Sequence, residues 1–165
     1  MGRGRDLIFL SRHGFRVLGL DRDPMAIARA RRRAAGLGLP IRTELADLRT
    51  YRLRGSYEVL FSSSALNHLP PSGRARRFAH FQRATVPEGI HAINVFDAKE
   101  YARPSPDIDP GGLPFRRGEL RSYYRRWSVL EDRELALECR FGGRPHRHFW
   151  QVIVAQKPKS GAMTR

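Results

Sequence analysis

Two aspartates and a glycine turn stand where an open α/β sheet binds nucleosides. Gly2 and Gly4 precede a helical segment, so a ligand can approach the backbone closely and its N–H groups point outward. Asp21 ends a predicted strand 17 residues beyond Gly4 and can accept hydrogen bonds from both hydroxyls of a ribose. Asp47 follows the next strand and can accept a hydrogen bond from an exocyclic amine. Together these features favour a pocket for a nucleoside-containing cofactor.

Each of these residues also has an ordinary structural interpretation. The glycines could form a terminal turn, Asp21 could cap a helix, and Asp47 could be a plain turn aspartate. Asp23 is the better helix cap, because it precedes Pro24 and proline suits the first turn of a helix. The prediction therefore depends on the shared placement at strand ends and not on any single residue.

The elements that must position these residues alternate between strand-like runs and helical periodicity, which is typical of an α/β sheet. Helices are predicted over 6–13, 23–33, 72–84 and 119–124, and strands over 15–20, 41–45, 57–62, 89–96, 127–139 and 149–156. The strand at 57–62 is almost continuously apolar, which predicts that both of its faces are covered. The segment 97–112 is predicted to be a loop that could act as a mobile lid.

Composition limits the class of protein. The net charge is +15, yet only three of the 31 basic residues are lysines and the arginines are spread along the chain. This pattern favours an arginine-rich surface over a dedicated polyanion-binding arm. The longest aliphatic stretch, Val152–Ala155, is too short to span a membrane, and no apolar signal region follows Met1. We therefore expect a soluble cytoplasmic protein.

The chain resembles class I S-adenosylmethionine (SAM) dependent methyltransferases, particularly the small tellurite-resistance (TehB-like) branch. The matching stretches are GRGRDLIFLSRHGFRVLGLDRDP, ELADLRTY, YEVLFSSSALNHLP, VPEGIHAINVF, PFRRGELRSYYRRWSVLE and RPHRHFWQVIVAQKP. The resemblance implies an α/β, Rossmann-like methyltransferase fold, with a mostly parallel sheet and a C-terminal antiparallel strand pair. It also implies one domain over 1–158, followed by a disordered tail over 159–165.

The resemblance assigns roles to individual residues. Asp21 corresponds to the acid that binds the ribose of SAM, and Asp47 to the acid that contacts the adenine amine. The implied cofactor-binding residues are Gly2, Gly4, Asp21, Arg22, Met25, Ala46, Asp47, Leu48, Ser62 and Ser63. Because the methyl group on a sulfonium is already electrophilic, methyl transfer rests mainly on positioning and on the exclusion of water.

One part of the family pattern is missing. In the family, a hydrophobic strand ending in an acid, with an earlier glycine, leads into the first loop; here Met1 stands between the first two glycine positions. That strand is central in the family's sheet, so its loss should leave neighbouring edges unpaired. We expect a gene start upstream or a fragment; the alternative is a truncated protein with impaired cofactor binding.

Four residues are candidates for the acceptor side of the site: His68, His146, Arg147 and His148, with Arg144 beside them. A histidine could act as a base or orient an acceptor, and the cations could attract tellurite or selenite. Alternatively, His68 makes a hydrogen bond within its loop, and the other two histidines merely alternate on one strand face. No metal site is predicted, because no third ligand stands at a diagnostic spacing, and Cys139 is expected to be buried.

The leading hypothesis is a SAM-dependent methyltransferase that acts on a small-molecule acceptor, such as a soft heteroatom or a chalcogen oxyanion. Methylation of RNA or another nucleic acid is the alternative that the charge favours. Against it, the segment 67–70 lacks the Asn-Pro-Pro-Tyr type of loop that many base-amino methyltransferases carry. A third hypothesis is a non-catalytic, arginine-rich remnant of the fold. The acceptor and the oligomeric state stay open.

Overall fold

The structure, a computed structural model, describes residue 2 and residues 4–102, 111–140 and 145–159. Arg144, most of the predicted lid (103–110) and the tail beyond Lys159 lie outside the described residues. The chain forms two compact units, Met1–Arg52 and Leu53–Arg165, called unit 1 and unit 2 below. The expectation of a single domain over 1–158 stays a prediction.

Unit 1 contains two helices and two parallel strands. They are α1 (Arg5–Arg12), β1 (Val17–Asp21), α2 (Pro24–Ala35) and β2 (Ile41–Leu45). The side chain of Asp23 accepts a hydrogen bond of 2.8 Å from the N–H of Met25, so the predicted cap of α2 is confirmed. Ile27, Ala30 and Ala34 form the predicted buried face of this helix.

Unit 2 contains a four-stranded sheet of order β3-β4-β6-β5. Its strands are β3 (Tyr57–Ser63), β4 (Thr85–Phe96), β5 (Ser128–Cys139) and β6 (His146–Gln156), and its helices are α3 (Pro71–Arg83), α4 (Ala98–Ala102) and α5 (Glu119–Ser122). β3 and β4 are parallel, whereas β6 runs antiparallel to both β4 and β5. The predicted C-terminal antiparallel pair is therefore confirmed. No helix of the described residues is long and apolar enough to cross a membrane.

The edges of the two sheets test the prediction of unpaired strands. Within the described residues, β1 pairs only with β2, and β3 pairs only with β4. Phe61 of β3 is 43% exposed, so the prediction that both faces of this strand are covered is wrong. The physical reason is that β3 lies at the edge of its sheet, where fewer side chains cover it.

The N-terminal part of β4 differs from the prediction because the strand contains a bulge. β4 begins at Thr85 and not at Gly89, and its register against β3 shifts between Tyr57 and Val59. Glu88 has φ 61°, and a Cβ at Gly89 would lie 2.6 Å from the Thr85 side chain. Pro87 and Gly89 interrupt the strand pattern in the sequence, so the extension could not be predicted.

A fully buried arginine, Arg74, holds the segment 111–119 against helix α3 within unit 2. The guanidinium of Arg74 lies 2.9 Å from the Glu119 carboxylate and 3.7 Å from the centre of the Phe115 ring. Its N–H groups donate to the carbonyl oxygens of Leu69, Leu113 and Pro114. Since its donors meet acceptors on three sides, this buried cation is compensated.

A second buried group, His91, joins β4 to the aromatic segment 123–127. Its Nε2 lies 2.8 Å from Thr85 Oγ1, and its Nδ1 lies 2.7 Å from the hydroxyl of Tyr124. Burial, together with the charge of Lys157, lowers the pKa of His91 to about 3, so the ring is neutral. Tyr124 is fully buried, and Tyr123 stacks on Phe78. The aromatic run therefore belongs to the core.

Candidate functional site

In unit 1, the carboxylate of Asp21 is joined to the glycine turn. Its Oδ2 accepts a hydrogen bond of 3.0 Å from the N–H of Gly2, and its Oδ1 accepts one of 3.0 Å from the N–H of Asp23. Burial alone would raise the pKa of Asp21, but these two backbone donors hold it below its usual value. The structure thus places an ionised carboxylate beside the turn, as the spacing predicts.

The two glycines of the turn have different environments. Both have positive φ, 53° at Gly2 and 73° at Gly4. A Cβ at Gly4 would lie 2.8 Å from the Cβ of Ala30, so this glycine is required for the packing of α1 on α2. Nothing lies within 4 Å of the corresponding position at Gly2. The backbone at Gly2 is therefore the part of the turn that is open to a ligand.

Asp47 lies at the same end of the β1–β2 pair as Asp21. Asp21 is paired with Leu45, and its carbonyl oxygen accepts a hydrogen bond of 2.8 Å from the N–H of Ala46. Asp47 follows directly and pairs with Arg49, whose Nε lies 2.9 Å from Oδ2 and whose N–H lies 2.8 Å from Oδ1. These hydrogen bonds lower the pKa of Asp47 to about 2. Both carboxylates are therefore ionised and stand at one edge of the sheet.

The other cofactor-binding candidates of unit 1 flank these carboxylates along the chain. Arg22 is exposed, and its charge contributes to the lowered pKa of Asp47. Met25 is 57% exposed, whereas Ala46 and Leu48 are half-buried. Exposed side chains at a strand end are available to a ligand, so this placement is compatible with their predicted roles.

One groove of unit 1 does not coincide with the predicted site. It measures about 470 Å³, a size typical of ligand pockets. Its lining residues are Pro24, Ile27, Ala28, Arg31, Arg32 and Leu45. None of the predicted cofactor residues lines this groove, so it carries no argument for their roles.

In unit 2, the two candidate serines at the end of β3 differ in burial. Ser62 is buried, and its hydroxyl has no hydrogen-bond partner among the described residues. The hydroxyl of exposed Ser63 accepts a hydrogen bond of 3.2 Å from the side-chain amide of Asn94. Because buried hydroxyls normally have partners, the Ser62 hydroxyl is suited to a polar group of a ligand.

Neighbouring residues of the β3 loop have different roles. Asn67 is buried, and its side chain accepts a hydrogen bond from Phe96 N–H while donating to the carbonyls of Phe96 and Leu113. It therefore holds the chain together. The candidate His68 is half-buried at the end of a 3₁₀ turn, Ala65–His68, just before α3.

The structure divides the predicted cluster on β6. His146 and His148 lie on one face, with their Nε2 atoms 3.2 Å apart. Arg147 points to the opposite face, because strand side chains alternate, and it lies 3.2 Å from the carboxylate of Glu138. The structure therefore brings the two histidines together but does not bring Arg147 to them.

Two neighbours of the histidines were not identified as site residues from the sequence. Cys139 is paired with His146 across the β5–β6 hairpin and is half-buried, not buried as predicted. Glu100 is fully buried, and its Oε1 lies 2.9 Å from His148 Nδ1. Glu100 belongs to α4, inside the segment predicted to be a loop, so no signal in the sequence pointed to this contact.

Comparison with known proteins identifies the first half of the chain with a domain family. Residues 1–89 match the family described as "Methyltransferase domain". The chain is 29% identical to Hemagglutinin 1 from Eikenella corrodens over 161 residues, which are 95% of this chain and 52% of that protein. It is 27% identical to the 2-heptyl-1-hydroxyquinolin-4(1H)-one methyltransferase of Mycobacteroides abscessus over 133 residues, 79% of this chain and 57% of that enzyme. The chain thus spans just over half the length of these relatives.

Solved structures confirm the fold class. TehB from Haemophilus influenzae superposes with a TM-score of 0.81 at 22% identity, over 94% of this chain and 55% of that one. The N-methyltransferase NodS from Bradyrhizobium japonicum WM9, solved with S-adenosyl-L-homocysteine, gives a TM-score of 0.74 at 14% identity, over 96% and 76%. At these identities the likeness establishes the fold, and the Rossmann-like methyltransferase prediction is confirmed.

Proposed function

Because this chain belongs to the methyltransferase-domain family, we propose that it takes part in transferring a methyl group from SAM to a small-molecule acceptor. The S-adenosyl-L-homocysteine bound to NodS supports SAM as the donor. The named substrate of the Mycobacteroides abscessus relative, a hydroxyquinolinone, supports a small acceptor. A cytoplasmic location is part of the same proposal.

The observation that carries the proposal is the position of Asp21. Its ionised carboxylate ends β1, is held by two backbone N–H groups, and stands beside the open backbone of Gly2. Hydroxyl groups donate to an ionised carboxylate, and a carboxylate at the end of this strand is the usual partner of a ribose, so we assign Asp21 to the two ribose hydroxyls. The residues present therefore fit the nucleoside part of SAM.

Asp47 is proposed to contact the adenine. Its carboxylate already accepts four hydrogen bonds from Arg49, so the exposed side chain of Arg49 would have to give up at least one of them to an exocyclic amine. Met25 follows Asp21 and Leu48 follows Asp47 in sequence, and both supply apolar surface, which an adenine ring needs. The cofactor-binding roles of Ser62 and Ser63 in unit 2 stay predictions.

In this reaction the chain mainly has to bind SAM and the acceptor, orient them and exclude water. When bound, SAM supplies a methyl group made electrophilic by the positive sulfur. Asp21 would fix the sugar, which orients the sulfur, and alignment of donor with acceptor supplies most of the acceleration. No residue has to form a covalent bond in this reaction.

For the acceptor side we propose His68, with His146 and His148 as additional polar groups on one face of β6. The role of Arg147 stays a prediction, because its side chain lies on the opposite face and pairs with Glu138. A neutral imidazole can take the proton that a nucleophile loses when it is methylated. A soft heteroatom or a chalcogen oxyanion is the acceptor class that we favour, and the positive net charge of the chain would attract such an anion.

Calorimetric titration of SAM into the chain tests the proposal. We expect one binding event per chain, competed by S-adenosyl-L-homocysteine. Product formation should then be compared for tellurite, selenite, a simple thiol and 2-heptyl-1-hydroxyquinolin-4(1H)-one. Heat without turnover on any acceptor would favour the non-catalytic remnant, and the absence of heat would overturn the assignment of Asp21.

A further inference from the structure

Three side chains that commonly bind metal ions converge on one face of the β5–β6 hairpin. Cys139 stands opposite His146 in the antiparallel register, and His148 lies two residues beyond His146. Directly opposed residues, and residues two apart on one strand, share a face of the sheet. The Sγ atom and one nitrogen of each ring all lie within 4.8 Å of one another. The register, and not the spacing in sequence, creates this cluster.

The distance between the two rings matches that of metal ligands. Their Nε2 atoms are 3.2 Å apart. In a tetrahedral zinc site with Zn–N bonds of about 2.0–2.1 Å, two nitrogen ligands are about 3.3 Å apart. The sulfur lies within 4.8 Å of these nitrogen atoms and would have to move closer to reach a Zn–S distance of about 2.3 Å.

A buried carboxylate orients one of the rings. Oε2 of Glu100 accepts a hydrogen bond of 2.7 Å from the N–H of Phe149, which fixes the carboxylate, and Oε1 lies 2.9 Å from His148 Nδ1. In the tautomer that carries its proton on Nδ1, His148 donates to this carboxylate, and its Nε2 lone pair then points toward His146. This carboxylate–histidine pairing is the usual outer-shell arrangement at metal sites.

We propose that Cys139, His146 and His148 bind a divalent metal ion of the zinc class, with Glu100 as the positioning residue of His148. One thiolate and two imidazoles form a borderline-soft donor set, which suits zinc better than magnesium or calcium. On binding, the Cys139 thiol releases one proton to solvent, and the proton on His146 moves to Nδ1. Three protein ligands leave a fourth coordination position for water or another small ligand.

This inference goes beyond the proposed methyl transfer and does not depend on it. It also reassigns the two histidines of β6, because a ring bound to a metal cannot serve as a base through the same nitrogen. Leu137, which is paired with His148 and is 51% exposed, lies beside the cluster, so solvent reaches this part of the hairpin.

Cobalt(II) titration of the chain, purified without a histidine tag and treated with a chelator, tests the site in the absence of SAM. We expect one equivalent to bind, with a near-ultraviolet thiolate-to-cobalt charge-transfer band and the intense visible bands of tetrahedral cobalt. Zinc should displace the cobalt and abolish the spectrum. Failure to observe any thiolate–cobalt band would overturn the proposal, whatever the result of the SAM titration.

Variants separate the ligands from the positioning residue. Cys139→Ser should remove the charge-transfer band, whereas Glu100→Gln should keep it and weaken zinc binding about 10–100-fold. His13→Gln, which changes an exposed histidine of unit 1, should leave the titration unchanged. Because Cys139 is the only cysteine, the test of position is His146→Gln, which should abolish the tetrahedral cobalt spectrum; an unchanged spectrum in this variant would show that the metal binds elsewhere. If circular dichroism shows that His146→Gln does not fold, His148→Gln provides the same readout.

Discussion

Polar side chains serve different purposes in the two units of this chain. In unit 1, Asp21 and Asp47 follow parallel strands and are only half-buried, so a ligand can reach their carboxylates. In unit 2, Arg74 and His91 are fully buried and make their hydrogen bonds inside the chain. Placement and access, and not the presence of a polar group, therefore separate the candidate binding groups from the structural ones.

Of the substitutions that test this difference between the two units, one at Arg74 is expected to have the largest effect. In Arg74→Met, the carboxylate of Glu119 and three carbonyl oxygens lose their buried donor. We expect the free energy of unfolding to fall by about 3–5 kcal/mol, with little change in the SAM affinity of the folded protein. Urea denaturation measures the first quantity and calorimetry the second. Arg76→Met, on the exposed side of the same helix, is the control, and equal midpoints for the two variants would contradict the structural role.

At Asp21 we expect the opposite result, a large loss of SAM affinity with little change in stability. Asp21→Asn removes the charge from two hydrogen bonds to the ribose, so SAM affinity should fall about 100-fold, or about 2.7 kcal/mol. The free energy of unfolding should change by less than about 1 kcal/mol, because the amide oxygen can still accept a backbone N–H. Asp23→Asn, which keeps a good helix cap two residues away, should retain full affinity. Equal losses in both variants would indicate a disturbed loop and not a lost ribose contact.

The pH dependence of the free energy of unfolding tests the structural role of the buried residue His91. The folded state holds His91 neutral with a pKa of about 3, whereas the unfolded chain binds a proton near 6.5. Acid therefore favours unfolding, and this residue should cost about 1.4 kcal/mol of stability per pH unit as the pH falls from 6.5 toward 3. Denaturation at pH 5.5 and 4.5, where the slope comes close to this value, measures it. His91→Gln should have a slope smaller by this amount, and an identical slope would mean that the ring is protonated in the folded state.

The smallest effect is expected at Asp47. Its carboxylate already accepts four hydrogen bonds from Arg49, and the asparagine of Asp47→Asn keeps one acceptor oxygen for the adenine amine. We expect about a fourfold loss of SAM affinity, or about 0.8 kcal/mol, because one hydrogen bond is weakened and none is removed. Arg49→Gln is the matched variant, and it should raise the affinity slightly by leaving more of the carboxylate available. A loss at Asp47 as large as that at Asp21 would remove the distinction between the two acids.

The sequence predicted what local periodicity determines. The strand containing Leu45 is predicted with its observed bounds, and the cap at Asp23 and the edge shared by the two acids follow from the order of the elements. The meeting of Cys139 with His146 depends on the hairpin register, which spacing alone does not define. The contact between Glu100 and His148 joins residues 48 positions apart. Glu100 lies on a helix, whereas the composition of its segment predicts a loop.

The close contact of Gly4 with Ala30 has an evolutionary consequence. Neither position can accept a bulkier side chain alone, since a single added methyl group on Gly4 would already overlap Ala30. The sizes of the residues at positions 4 and 30 should therefore change together during evolution. Among descendants of this gene, a larger residue at position 30 should appear only together with a displaced first helix.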